Sequence, residues 1–460
     1  MTRKKIVLIG AGSTTFTQRL VADLILSDTP EAWELALVDI DEEVLESIHL
    51  VTQKMLAAKG VTIPLTATSN RREALKNADF VVATISVGGR RGWEMDVKVP
   101  RKYDIYQPVG DTMMPGGISR ALRMIPPMID IANDIKELCP DAYFFNYSNP
   151  MTSVCTAVRR ATGVPLIGLC HGVHVAEGYL ARFLGVEEGS VSTFGVGLNH
   201  LTFLTHIFYE GQDAFPLYKE KLEEQRTTLK QEIAEKDEFV NWITGRNPRY
   251  SDDPFSWSFF EEHNVFPIML DRHVSEFFPE QFPKGSYYGK TLGIDAFPID
   301  QRIAWGDDVY EEFTRTAHSD EPLPADFFEQ VPGEHEQLLD IMHSLMTDSR
   351  ETFSVNMPNQ GAVPNLPHDT VLELPAAATA KGFCQLHTDP LPQHLADILL
   401  DKLEAIDLTI EAALQGDEKV FVDALLKDGS VTDKGTAQNL AKDLLETHRE
   451  HLPQFADTSF

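Results

Sequence analysis

Residues 5–15 read KIVLIGAGSTT, and their reading decides the first half of the chain. Five residues rich in β-branched side chains run into a Gly-x-Gly turn, and TQRLVADLIL (17–26) then repeats its apolar positions at helical spacing. A strand that turns on glycine and opens a helix has a specific use. Gly10 permits the tight turn and Gly12 lets a pyrophosphate approach the backbone. The helix N-terminus that follows supplies N–H groups and the positive end of a dipole to an anion. The third glycine of the dinucleotide fingerprint is Thr15 here. Asp39 ends the next strand, ELALVD (34–39), where a carboxylate takes the adenosine ribose hydroxyls and disfavours a 2′-phosphate. These residues point to NAD, although Asp39 lies farther downstream than the usual interval of about 20 residues. The alternative is a glycine turn that binds another nucleotide, or none.

Working outward, the same alternation continues. DEEVLESIHLVTQKMLAAKG (41–60) is an amphipathic helix with acids in its first turn and glycine after its end. Strands follow at 61–67, DFVVATIS and AYFFNYS, with helices at RREALKNA, IPPMIDIANDIKELCP and TSVCTAVRRAT, and then the strand VPLIGLC. Strand–helix alternation over about 170 residues predicts an α/β fold, a Rossmann-like doubly wound parallel sheet. The second half differs. Residues 217–245 read as a charged helix, 246–300 as loop-rich, and 333–351 and 391–451 as helical. The expected organisation is an NAD-binding domain over 1–190, followed by a mixed α+β, largely helical domain over 191–460. The active site would lie between them.

The bulk composition narrows the classes. A net charge of −30 repels phosphate backbones and anionic membranes, so nucleic acid and membrane surfaces are excluded as partners. No apolar run approaches the roughly 18 residues of a membrane span. MTRKKIVLIG is read as a first strand, not an export signal. Four cysteines in 460 residues form no disulfide framework, which favours a reducing cytoplasm.

GLCHGVH (168–174) puts Cys170 at a predicted strand end, the edge where open α/β sheets bind ligands. A second strand end, GVGLNH (195–200), brings His200. A thiolate and an imidazole from two such ends would make half of a divalent metal site, with substrate oxygens and water in the remaining positions. Cys170 is also readable as a nucleophile activated by His171, although strand neighbours point to opposite faces. It is readable as a small buried hydrophobe too. Three further clusters stand out: VGDTMMPGGISRALR (109–123), with Asp111, a glycine turn and two arginines; NYSNPM (146–151), with Asn149; and PIMLDRHVSEF (267–277), with Asp271 and His273.

Taken together, GAGST, LVDID, GDTMMPGGISRALRMIP, CPDAYFFNYSNPMT, GLCHG, GLNH and NLP–D–VLELP occur along nearly the whole chain. In that order they resemble glycoside hydrolase family 4, the NAD- and divalent-metal-dependent glycosidases, and especially their α-galactosidase and α-glucosidase branch. The resemblance implies a metal, usually Mn2+, held by Cys170 and His200. It implies substrate contact at Asn149 and a dinucleotide on Gly10, Gly12, Ser13, Thr14 and Asp39. It also implies hydrolysis by C3 oxidation, C1–C2 elimination, water addition and re-reduction, rather than the two-carboxylate route. Asp271 stands where some members acting on non-phosphorylated sugars carry an acid and is the expected base. Asp111 or His171 would assist. His273 falls at or near a tyrosine position of phosphosugar members and is expected on the substrate. Phe277 replaces a tyrosine of related galactosidases.

His171 follows the cysteine where phosphosugar members carry Asn or Asp. The expected substrate is therefore a non-phosphorylated α-glycoside. Gly172 favours an α-glucoside or α-glucuronide over an α-galactoside. Arg90 is a candidate clamp for a uronate carboxylate, with an exposed arginine near the dinucleotide as its alternative. Family members assemble as dimers or tetramers, so a homodimer or homotetramer is expected. Two rivals share the glycine turn: an NAD-dependent hydroxyacid dehydrogenase and a non-catalytic NAD-binding protein. Neither needs Cys170, His200, Asn149 and Asp271 together.

Overall fold

The computed structural model describes residues 3–229, 247–331 and 337–456. Six strands form the first half of the sheet: β1 (Lys4–Ile9), β2 (Trp33–Val38), β3 (Leu65–Thr68), β4 (Phe80–Ala83), β5 (Tyr143–Asn146) and β6 (Leu166–Gly168). They are parallel and ordered β3-β2-β1-β4-β5-β6, the doubly wound dinucleotide-fold order, with its switch point between β1 and β4. Ile6, Val7 and Leu8 are fully buried, as a strand covered on both faces requires.

The second half supplies β7 (Val191–Leu198), β8 (Leu201–Tyr209), β9 (Gln212–Asp213) and β10 (Phe266–Pro267). A small hairpin follows, β11 (Ser286–Tyr287) with β12 (Lys290–Thr291), and then β13 (Thr352–Pro358), β14 (Val371–Thr379) and β15 (Gly382–Gln385). The expected division near residue 190 does not divide the sheet. β13 lies antiparallel along β6, β14 along β13, and β7 along β14, giving one 13-stranded sheet among the described residues. The main apolar core spans both halves, from Ile6 to Phe455, with smaller apolar clusters beside it. No helix among the described residues is long and apolar enough to cross a membrane.

Pairing across the seam is in register. Val38, Ile9, Ala83, Asn146, Gly168, Asn356, Glu373, Gly197 and Thr202 are successive cross-strand partners, one row through nine strands. Asp39, Gly10, Asn149, Cys170 and His200 each lie within three residues of this row.

Helix boundaries depart from the periodicity in one informative place. The segment read as a glycine turn is the first turn of a long helix, Met114–Leu138, with Pro115 at its start. Gly117 is required there, because a Cβ would stand 2.3 Å from the Thr112 carbonyl carbon. The loop 110–113 therefore lies flat on the helix it precedes. In the charged stretch Phe215–Leu229 is helical and the remainder lies outside the described residues. The loop-rich region contains the helix Pro254–His263. The C-terminal part is three helices, Gln393–Gln415, Glu418–Asp428 and Lys434–Thr447.

A buried ion cluster fastens the end of the last helix to the first half. Arg123 donates two hydrogen bonds to Asp96 at 2.9 and 2.7 Å, and His448 Nε2 lies 2.9 Å from the same carboxylate. Burial pushes Asp96 upward, but His448 and Arg123 more than offset this and hold it below the ordinary carboxylate range. A depressed folded-state value means that the stabilisation is complete above the unfolded value and is lost on acidification through the folded one. Asp96→Asn is expected to cost roughly 3–5 kcal/mol, because it leaves a guanidinium buried without its charge partner. Urea unfolding at neutral pH measures this, and the gap between wild type and variant should narrow at low pH.

Candidate active site and metal centre

The glycine turn has the shape a dinucleotide needs. Gly10 has φ +88°, and a Cβ there would lie 2.8 Å from the Ile85 nitrogen. Ser13 precedes the helix Thr14–Leu26 without making a side-chain cap, so no capping side chain covers the first-turn N–H groups. Asp39 accepts from Gly12 N at 2.7 Å and from Asp41 N at 3.0 Å, which aligns its carboxylate beside the turn. Tyr310, from the helix Ile299–His318, donates to Gly12 O at 2.5 Å.

Arg90 is drawn to this side rather than to the sugar. Its guanidinium stacks 4.0 Å over the Tyr310 ring and donates to Asp307 Oδ1 at 3.0 and 3.1 Å. Asp307 and Tyr310 thus hold Arg90 beside the glycine turn.

Farther along the row, Asp111, His200 and His273 each bring a ligand atom within 4.8 Å of the others. They come from the loop before Met114, the two-residue turn between β7 and β8, and the short helix Leu270–Val274. His200 occupies the left-handed region at φ +70°. Thr112 donates its single hydroxyl proton to Asp111 Oδ1 at 2.8 Å, so it accepts from His200 Nδ1–H at 2.7 Å. This selects the tautomer whose Nε2 keeps a lone pair for a metal.

Electrostatics agree. Burial lowers His200 to about 4 despite nearby Asp111, and burial with His200 holds His273 well below its ordinary value. Both imidazoles are neutral near pH 7, the form that ligates. Burial pushes Asp111 upward, but His273, His200, Arg120 and the Thr112 hydroxyl together bring it down to about 2. Two neutral nitrogens and one anionic oxygen fit a divalent first-row cation.

Asn149 Nδ2 donates to Asp111 Oδ2 at 3.3 Å, and Arg120 Nε donates to the Asn149 carbonyl at 3.1 Å. Cys170 is half-buried and does not belong to the three-residue cluster. It lines a cavity of about 180 Å3 with Glu177, Thr193 and Ser354. Asp111 and His273 thus join the expected ligand His200 in a three-residue cluster, while Cys170 lies on the neighbouring turn. The reason is local: β6 ends at Gly168 and the helix Gly172–Leu184 begins two residues after Cys170. His171 is half-buried at the start of that helix, and its charge would disfavour protonation of His200 and His273.

Asp271, the expected base, is surrounded by donors. Its carboxylate is fully buried. It accepts from Ser256 N and Oγ at 2.7 Å each, Phe255 N at 2.8 Å and Tyr287 Oη at 2.6 Å. Four donors fill the roughly four lone-pair sites of a carboxylate, so none is left for a substrate proton. It anchors the start of the helix Pro254–His263 instead. Phe277 is buried in the main core.

Thr112 and Glu276 escaped the sequence reading. Fully buried Glu276 accepts from Gly110 N and so holds the loop that carries Asp111. Thr112 was signalled by its place beside Asp111 in GDT, whereas nothing in SEF distinguishes Glu276 from a surface acid. Asp271→Asn is expected to lower unfolding free energy by about 1–3 kcal/mol, since its amide turns a donor toward donors. Thermal and urea unfolding measure it; an unchanged midpoint with kcat lost would restore Asp271 as the base.

Comparison with known proteins follows this geometry. The model of the family 4 glycosyl hydrolases matches residues 5–186, and that of the family 4 C-terminal domain matches residues 195–431. An alpha-glucosidase of Erwinia rhapontici is 30% identical over 445 residues, covering 92% of this chain and 93% of that protein. An alpha-galacturonidase of Thermoanaerobacterium saccharolyticum is 30% identical, covering 97% and 96%. The crystal structure of a 6-phospho-alpha-glucosidase from gut microorganisms, in complex with NAD and Mn2+, has the same fold. Its TM-score is 0.79 at 18% identity, over 98% of this chain and 99% of that one. With both family models matched along its length, the chain belongs to the family 4 glycosyl hydrolases.

Proposed function

We propose that this chain hydrolyses non-phosphorylated α-glycosides, α-glucosides and α-glucuronides ahead of α-galactosides, with NAD and a divalent metal, Mn2+ first, as its cofactors. The carrying observation is the Asp111–His200–His273 cluster, whose His200 lies at the end of the same row of strand partners as the glycine turn. Gly10, Gly12, Ser13 and Thr14 would hold the pyrophosphate, and Asp39 the ribose. His200 and His273 would offer nitrogens to the metal and Asp111 a carboxylate, with Cys170 as a thiolate from the neighbouring turn. When bound, NAD supplies a hydride acceptor for the sugar C3 and the metal a Lewis acid for the sugar oxygens.

The chain's own groups divide the remaining work. An ionised carboxylate beside two neutral imidazoles is a good anionic ligand, so Asp111 is assigned to the metal. Thr112 keeps the His200 tautomer and Asn149 steadies Asp111. The remaining donor and acceptor of Asn149 suit a sugar hydroxyl. Proton transfer at the sugar is assigned to His171, the imidazole of the β6 turn that lies outside the cluster.

The substrate reading draws on two observations. His171 stands where phosphosugar members carry Asn or Asp, and the two relatives at 30% identity are named for non-phosphorylated sugars. For a uronide, Arg120 succeeds Arg90 as the candidate cation, because it is bonded to Asn149.

The test is a panel of p-nitrophenyl α-glycosides (glucoside, glucuronide, galactoside and galacturonide) on protein stripped of NAD, with and without NAD+ and Mn2+. Cleavage requiring both additives is expected, best with the glucoside or glucuronide. His200→Ala should lower kcat/KM at least 100-fold, about 3 kcal/mol of transition-state stabilisation. Cleavage by stripped protein in chelator would overturn the proposal.

A further inference from the structure

In the strand row described above, the stretch between the Cys170 turn and the His200 turn is Gly168, Asn356, Glu373, Gly197 and Thr202. Two glycines flank a polar pair. Gly168 leaves no room for a side chain, since a Cβ would meet Met151 Sδ at 2.4 Å and Asn356 Cβ at 2.8 Å. Gly197 is equally confined, its Cβ falling 2.2 Å from the Leu201 oxygen.

Because Gly197 presents no side chain, the Glu373 carboxylate crosses β7 to the far strand. Asn199 Nδ2 donates to Glu373 Oε2 at 3.1 Å, and the single Thr202 hydroxyl proton is shared between Glu373 Oε2 and Leu198 O, each at 3.1 Å. Asn199 immediately precedes His200 and Thr202 follows by two, so one carboxylate oxygen grips the turn from both sides. The grip has something to resist: His200 is a non-glycine residue at positive φ, a conformation that persists only where its surroundings enforce it.

The other side of the pair is unusual. Glu373 and Asn356 are fully buried, and Glu373 Oε1, Asn356 Oδ1 and Asn356 Nδ2 make no hydrogen bond. Buried polar atoms left in that state are costly and are kept where function requires them. Apolar side chains here would pack the sheet at lower cost.

We infer that Glu373, through Asn199 and Thr202, is a positioning residue that holds His200 in its metal-binding orientation. Asn356 is its neighbour toward the Cys170 turn. The inference rests on the reading of His200 as a metal ligand. Glu373 is assigned no contact with the metal and acts through the Asn199 and Thr202 side chains. Partners that orient a ligand typically change metal affinity by about 10–100-fold when removed.

The experiment measures Mn2+ affinity by calorimetry in the full-length wild type and in Glu373→Ala, Glu373→Gln and the near-isosteric Thr202→Val, with His200→Ala as reference. NAD+ affinity and thermal midpoint are measured on the same samples. Glu373→Ala should weaken Mn2+ binding by about 10–100-fold while NAD+ affinity stays within about twofold. Thr202→Val should move in the same direction by less. Glu373→Gln should stay within about threefold of wild type, because its carbonyl replaces Oε2 and its amide faces Asn356.

Three outcomes overturn the inference: unchanged Mn2+ affinity in Glu373→Ala, equal loss of Mn2+ and NAD+ affinity, or no rescue by glutamine. If Glu373→Ala does not fold, Thr202→Val and Glu373→Gln decide by the same criteria. Wild-type protein that binds no divalent metal overturns the metal reading, and this inference with it.

Discussion

Backbone register is the constraint on which the cleft depends. β6 would otherwise end the parallel half of the sheet with an unpaired row of donors and acceptors. β13 takes that edge through the Asn356–Gly168 pair, and β14 and β7 follow. The hydrogen-bond ladder carries position information across some 200 residues of sequence separation. A residue just past Ile9 and one just past Gly197 are thereby held at one level, although they belong to different halves of the chain. A shift of one residue anywhere along the seam would turn the Glu373 side chain to the opposite face and release the His200 turn.

Chemistry gathers at this level for a second reason. The strand ends are where loops begin, and loops here are pinned rather than free. Glu276 holds Gly110, Gly117 lets the loop lie on its helix, and Thr112 joins Asp111 to His200. Asp271 serves the same purpose from the other side by fixing the start of the helix Pro254–His263. Buried carboxylates in this protein thus divide into those that build the walls and one that faces the cluster. Only their donors tell them apart.

Much of the parallel half was legible from local pattern. A β-branched run, a glycine turn and a helical repeat each lie within one stretch of chain, and β1, β2 and β5 fall within a residue or two of their predicted ends, while β4 stops three residues short of the stretch DFVVATIS. The dinucleotide turn was legible for the same reason, since Gly10, Gly12 and the strand-end Asp39 act through adjacent backbone. The motifs around Asp111, Asn149, Cys170, His200 and His273 stood out in the sequence, but which of their side chains lie together was not legible there. Arg90 read as a substrate clamp until Asp307, more than 200 residues away, was seen to hold it.

What the sequence by itself determined is the order of strands and helices in the first half, the anion-binding turn, and the family. All of these depend on spacing along the chain and on short motifs. The tertiary structure alone decided that the two halves share a sheet, and that Asp111 and His273 come beside His200. It also decided which donors surround the buried Asp271, and that Glu373 reaches the His200 turn across a glycine. Each of these is set by strand register or by the direction of a side chain between elements far apart in sequence. Those energies come from hydrogen bonds and burial between distant segments, which no local pattern of residues encodes.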